Sequence, residues 1–183
     1  MGTVWNDIII ISTDWVVPMD NDTLINELNT VLRGELMAVE SYDLFIANTD
    51  DEKSRQLFRQ FRADHKEHAE LLSDRIRSLG AVPGKGTGIP GTFSQIKLEF
   101  ETKRKDSEEI LKRAYFGEDK GVKMVEEIVK GDLDPESAKL VGRILSKDRE
   151  HLIALMETMQ ENLSRENYEQ RWENDDQKQE YLN

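Results

Sequence analysis

The sequence predicts an all-α protein, a four-helix bundle built from two antiparallel helical hairpins joined by a long crossover. Three observations predict it. The chain repeats itself: Gly-Glu occurs only at Gly34-Glu35 and Gly117-Glu118, and Glu-His only at Glu67-His68 and Glu150-His151, both pairs offset by 83 residues. Apolar residues recur every three or four positions over four long stretches, which marks one buried face on each of four helices. Between the second and third stretches lies Gly80 to Gly91, which holds five of the eleven glycines and two of the four prolines and is too rich in breakers to be helical.

The first helix is expected from about Asp22, where Asp20, Asn21 or Asp22 can cap it, and its stripe runs Leu24, Leu28, Val31, Leu32, Ala38, Val39, Tyr42, Phe45, Ile46. Asn48 to Asp51 form a short turn, and the second helix follows to about Leu79 with the stripe Leu57, Phe58, Phe61, His65, His68, Leu72, Ile76. So short a connection makes the first two helices antiparallel neighbours. The breaker-rich segment, with a short helix expected from Thr92 to about Lys103, supplies a connection long enough to pass from one end of the bundle to the other. The repeat places the start of the third helix near Lys105, with Leu111, Ala114, Tyr115, Glu118, Val122, Val125, Ile128 and Val129 on its face and Gly131 at its end. Asp134-Pro135 opens the fourth helix, proline being favoured at the first helical position, and its stripe is Leu140, Val141, Ile144, Asp148, His151, Leu155, Met159. Asp51, Ser54 and Leu57 match Asp134, Ser137 and Leu140 at the same offset, so both hairpins begin their second helix alike. The expected organisation is an apolar N-terminal arm over 1–20, the bundle over 21–163, and a polar charged tail over 164–183, read as a frayed helix extension or a disordered end.

Composition narrows the function. The 183 residues suffice for one domain with a sizeable core, and 34% charged against 37% hydrophobic residues suits long amphipathic helices. A net charge of −12 argues against nucleic acid, which needs a basic footprint, and suits attraction of cations. The absence of cysteine excludes disulfides, thiolate metal sites and a rubredoxin-type iron centre within the chain. No run approaches the ~20 apolar residues of a membrane span. The patch Ile8 to Ile11 and Trp15-Val16-Val17 lacks the basic region and cleavage site of a signal peptide, so a cytoplasmic protein is expected. The same apolar arm makes a homodimer or higher homo-oligomer an expectation.

The polar residues in mid-stripe carry the chemistry. The first helix presents Glu35, the second His65 and His68, the third Glu118, and the fourth Asp148 and His151, the last two pairs each spaced i, i+3 on one face. Three carboxylates and three imidazoles thus converge at one level of a core. Buried carboxylates need pairing, protonation or a metal, and two divalent cations supply about the right charge. Glu67 and Glu150, each about 100° round the helix from its neighbouring histidine, are expected to be solvated, and Tyr42 and Tyr115 to pack in the core or donate to the site.

On Glu35, His68, Glu118 and His151 the chain resembles the ferritin-like superfamily, near rubrerythrin-type and uncharacterised stress-associated bundles. Their pattern is a glutamate on the first helix, Glu-x-x-His on the second, a glutamate on the third and Glu-x-x-His on the fourth. Here Asp148 stands for one bridging glutamate and His65 for the other, which leaves three carboxylates rather than four. Asp64, Glu67 or Glu40 are candidates for a fourth. The resemblance implies two metal ions held by Glu35, His65, His68, Glu118, Asp148 and His151, iron first, with manganese or zinc as alternatives. It implies ferroxidase or peroxidase activity on dioxygen or peroxide with an external electron donor. The alternative is a non-enzymatic bundle in which a metal such as zinc only stabilises the fold.

Overall fold

Among the described residues, acidic caps start three of the four helices. The computed structural model describes residues 21–86, 106–131 and 133–180, with side chains to Arg165. Helix α1 spans Asn21–Asn48, α2 Glu52–Ser78, α3 Ser107–Val129 and α4 Pro135–Glu180. Asp51 accepts a hydrogen bond from the Ser54 backbone N–H at 2.7 Å, Asp106 from Glu109 at 2.7 Å, and Asp134 from Glu136 and Ser137 at 2.9 and 3.1 Å. Each satisfies donors that the first helical turn leaves open. At its far end α2 is followed by Gly80, whose φ of 81° is the left-handed conformation that closes a helix without strain. The third helix begins two residues after the expected Lys105, where Asp106 provides the cap. Helix α4 continues without a break through Ser164 to Glu180. The N-terminal arm and the short helix expected over Thr92 to Lys103 lie outside the described residues.

Contacts at the ends establish the topology. Thr49, just past α1, meets Ser107 at the start of α3 (3.2 Å), while Glu27 near the start of α1 lies against Gly131, past the end of α3. Lys53 at the start of α2 pairs with Glu161 on α4, and Arg75 at the end of α2 binds Asp134 (2.9 Å), Glu136 (2.7 Å) and Ser137 (2.9 Å) at the start of α4. Every adjacent pair is therefore antiparallel. The end of α2 and the start of α3 lie at opposite ends of the bundle, so the segment between them crosses its full length, as expected for two hairpins linked by one long crossover.

The core is in two apolar layers with a polar layer between. One layer packs Leu24, Leu28 and Leu32 against Leu72, Ile76, Val122, Val141 and Ile144. The other packs Tyr42 and Phe45 against Phe58, Phe61, Ile110, Leu111 and Leu155. Along every helix the mid-stripe polar residues fall between these two layers.

The Asp134 carboxyl links α4 to α2 and is held down to about 2: partial burial raises it, but bonds from Ser137 and Arg75 outweigh that. Its folded pKa is below the ordinary 3.8, so its stabilisation is complete above 3.8 and is lost as pH falls through about 2. Asp134→Ala is expected to lower stability by about 1–2 kcal/mol at neutral pH in urea unfolding. The gap to the parent should close as pH falls through that window, and a gap that persisted at low pH would contradict this account.

Candidate metal centre

All six mid-stripe residues are buried at one level: Glu35, His65, His68, Glu118, Asp148 and His151 are each 7% exposed or less. Their donor atoms form two groups that could hold metal. One comprises Glu35, His65, His68 and Asp148, the other His65, Glu118, Asp148 and His151, so His65 and Asp148 belong to both. These two shared residues are the repeat equivalents that differ. Glu67 and Glu150 are exposed, and Glu40 is in neither group.

His65 lies between the glutamates. Its Nδ1 is 2.7 Å from Glu35 Oε2 and its Nε2 2.8 Å from Glu118 Oε1. With a carboxylate on each ring nitrogen, the metal-free imidazole carries both protons. Burial opposes the charge, yet hydrogen bonds and attraction from Glu118 and Glu35 raise its pKa well above the usual 6.5. The glutamates respond in kind. Burial favours their neutral form, but His151 and His65 hold Glu118 at about 2, and His65 and His68 keep Glu35 below its ordinary value. Asp148 is pushed up to about 8 by burial and then by the Glu35 charge. One buried cation thus answers two carboxylates, and the third is left without a counter-charge.

The remaining donors face the same space. His68 Nδ1 lies 3.2 Å from Glu35 Oε2 and 3.4 Å from Asp148 Oδ1. His151 Nδ1 is 3.6 Å from Glu118 Oε1 and 4.0 Å from Asp148 Oδ1. Asp148 Oδ1 and His151 Nδ1 are fully buried and make no hydrogen bond among the described residues. Such atoms are rare in native cores because each leaves a desolvation cost uncompensated. Carboxylate oxygens and imidazole nitrogens, some unpaired and all turned inward, fit divalent cations.

Two residues next to the cluster orient it. Asp64 Oδ2 is 3.0 Å from His151 Nε2, which holds the ring with Nδ1 facing Glu118 and Asp148. Lys147 stands 3.7 Å from the same Asp64 oxygen. Tyr42 donates to Glu118 Oε1 at 2.5 Å, and burial followed by the Glu118 charge raises its phenol well above 10.0. Its ring stacks on His65, and Phe61 stacks on His151 with centroids 4.0 Å apart. Tyr42 thus packs in the core and donates to the site at once, while Tyr115 packs against the aromatic layer. Asp64 is a carboxylate that sequence reasoning left among three candidates; the repeat offers no sign of it, because its equivalent is Lys147.

Comparison with known proteins follows this geometry. The family model described as "Domain of unknown function (DUF2383)" matches residues 23–131, more than half of the chain. No curated protein matches the sequence. Among solved structures, a two-domain protein with DJ-1/ThiJ/PfpI-like and ferritin-like domains from Anabaena variabilis superposes with a TM-score of 0.70 at 17% identity, over 78% of this chain and 40% of that one. This chain therefore spans well under half of that protein. A dodecameric thioferritin, the bacterioferritin-related protein of Bacteroides fragilis, matches with a TM-score of 0.67 at 21% identity, over 82% of this chain and 92% of that one. A ferritin-like diiron-carboxylate protein from Bacillus anthracis matches with a TM-score of 0.52 at 21% identity, over 77% and 93%. The fold is ferritin-like, as the sequence resemblance implied. No helix among the described residues is long and apolar enough to cross a membrane.

Tyr42→Phe keeps the ring and removes the donor to a buried carboxylate. It should cost about 1.5–3 kcal/mol in chemical unfolding of the metal-free protein. An unchanged midpoint and slope would show that the 2.5 Å contact contributes nothing.

Proposed function

We propose, taking as premise that the chain belongs to the DUF2383 family, that its core is a dinuclear metal centre, of iron, serving a ferroxidase- or peroxidase-type oxidation by dioxygen or peroxide. The observation that carries this reading is the pair of inward-facing atoms Asp148 Oδ1 and His151 Nδ1, buried without hydrogen-bond partners within two overlapping groups of four donors. Glu35 and His68 would hold one ion, Glu118 and His151 the other, with Asp148 and His65 available to both. A bound pair of iron ions supplies redox and Lewis-acid chemistry, and the donor types also accept manganese or zinc.

The chain's own residues do the rest. A neutral imidazole has one lone pair, so His65 would ligate on one side only, its other nitrogen donating to the glutamate opposite. The two sites would therefore be unequal although the repeat makes their outer residues the same. Asp64 would hold His151 in the ligating tautomer, Tyr42 holds Glu118, and apolar layers flank the centre above and below. Electrons come from an external donor, since the chain has no cysteine for an iron–sulfur or rubredoxin-type relay. The proposal places the protein in the cytoplasm as a homodimer or higher oligomer, for which exposed Ile153, Met156 and Leu163 on α4 offer apolar surface.

A second reading, a zinc-stabilised bundle without turnover, draws on the clasp of His65 by Glu35 and Glu118, which already satisfies much of the polar layer without redox chemistry. One set of measurements separates the two. Anaerobic titration with ferrous ion should load two ions per chain in two distinguishable steps, and peroxide should then be consumed. Zinc uptake that raises the melting temperature, with no peroxide consumed by the iron-loaded protein, would favour the second reading, and no uptake of either metal would remove both. Asp64→Asn is expected to weaken one of the two steps about 10–100-fold and spare the other.

A further inference from the structure

A cleft between α1 and α3 opens from the surface onto the centre. Its volume is about 450 Å³, and Glu35, His65, Glu118 and Asp148 form its floor. That is the size of a pocket for an organic ligand, far beyond what dioxygen, peroxide or a metal ion needs. Its walls are apolar, with Met37, Ala38, Phe45, Met124 and Val125 among them. Phe116 stands at the rim, 68% exposed.

The cleft exists because side chains are missing. Gly34, Gly117 and Gly121 lie within long helices, where glycine is the poorest residue short of proline. A Cβ added at Gly117 or Gly121 would meet nothing within 4 Å, so packing does not demand glycine at either position. Neither has a positive φ. The remaining consequence of glycine there is an open cleft. The repeat is aligned with it: Gly34 and Gly117 are equivalent positions, as are Ala38 and Gly121, and Glu35 and Glu118 beneath them. A second observation points inward: Asp148, which lines the cleft, is 4% exposed and its Oδ1 has no hydrogen-bond partner among the described residues.

Charge distinguishes the occupant. The exposed Lys120 lines the mouth and makes no ion pair or hydrogen bond among the described residues, and Arg113, paired with Glu109, lies near it. Lys120 thus places a positive charge at the mouth of an apolar cleft. That combination suits a molecule with an anionic head and an aliphatic body. We propose that the α1–α3 cleft binds a single long-chain aliphatic carboxylate, its head group on Lys120 and its chain running between the helical glycines towards Glu35 and Glu118. The inference rests on the metal reading for what the ligand would meet at the floor, and on the cleft alone for binding.

The test is calorimetric titration of the full chain with dodecanoate below its micelle concentration, on metal-free and on zinc-loaded protein, with metal content measured in parallel. Saturable binding of one molecule per chain is expected. Gly121→Leu, which fills the cleft from an open position, should weaken it at least about tenfold with metal content unchanged. Lys120→Glu should weaken dodecanoate and strengthen dodecyltrimethylammonium. Gly142→Ala, a helical glycine with equally open surroundings that does not line the cleft, should bind as the parent does. The proposal is overturned if the parent shows no saturable binding, if Gly121→Leu binds normally, or if Lys120→Glu leaves the head-group preference unchanged. It is also overturned if Gly121→Leu dissociates an oligomer in sedimentation, since the cleft would then be covered by a second copy. Dodecanoate binding without metal uptake would retain the cleft and remove the metal centre; metal uptake without dodecanoate binding would do the reverse.

Discussion

The structure depends on placing buried negative charge between two apolar layers without leaving it uncompensated. Glu35, Glu118 and Asp148 are each 7% exposed or less, so a cation has to lie among them. In the metal-free chain that cation is the His65 imidazolium, held by a glutamate on each ring nitrogen. The arrangement works only if four helices bring their residues to the same height. The acidic caps at Asp51, Asp106 and Asp134 set where helices begin, and Arg75 fastens the end of α2 to the start of α4. A slip of one residue in any helix would turn its buried polar residue about 100° out of the layer. Such a slip would leave the remaining charges more exposed to one another, which gives the bundle a register it would lack with an apolar core throughout.

The parts of this that can be read in the sequence are those carried by period and repeat. Stripes of apolar residues reveal the four helices, and the offset of 83 residues pairs Glu35 with Glu118 and His68 with His151. Caps show as Asp-x-x-Ser at both Asp51 and Asp134, again because the repeat doubles the signal. What escapes such reading lacks a duplicate. Asp64 supports His151, but its counterpart is Lys147; Tyr42 supports Glu118, but its counterpart is Val125. Helices present both residues within two turns of a site residue, among many polar or aromatic neighbours, and only the packing of another helix selects them. The cleft is harder still, because it is made of what Gly117 and Gly121 do not have. Glycine in a helix looks like a weak point until the facing helix shows that the space is kept open. The length of α4 is likewise marked by no repeat in its polar tail.

The cleft lies where α1 approaches α3. Both helices carry small residues on the facing surfaces, yet the added Cβ at Gly34 would crowd Met124 at 3.1 Å while Gly117 and Gly121 remain open. The two halves thus agree in backbone and disagree in filling. The same holds one layer deeper, where equivalent positions carry imidazole on one side and carboxylate on the other.

Continuity of the chain has a consequence for that inner difference. Two identical hairpins related by a true two-fold axis would have to place the same residue at both positions now held by His65 and Asp148. Two histidines would set imidazolium against imidazolium beside only two glutamates, and two aspartates would set four carboxylates against only His68 and His151. The crossover relieves that obligation by making the halves one covalent molecule, each free to vary alone. An acid and a base can then face each other across the axis, and the bundle gains a direction, with one side of its centre chemically distinct from the other.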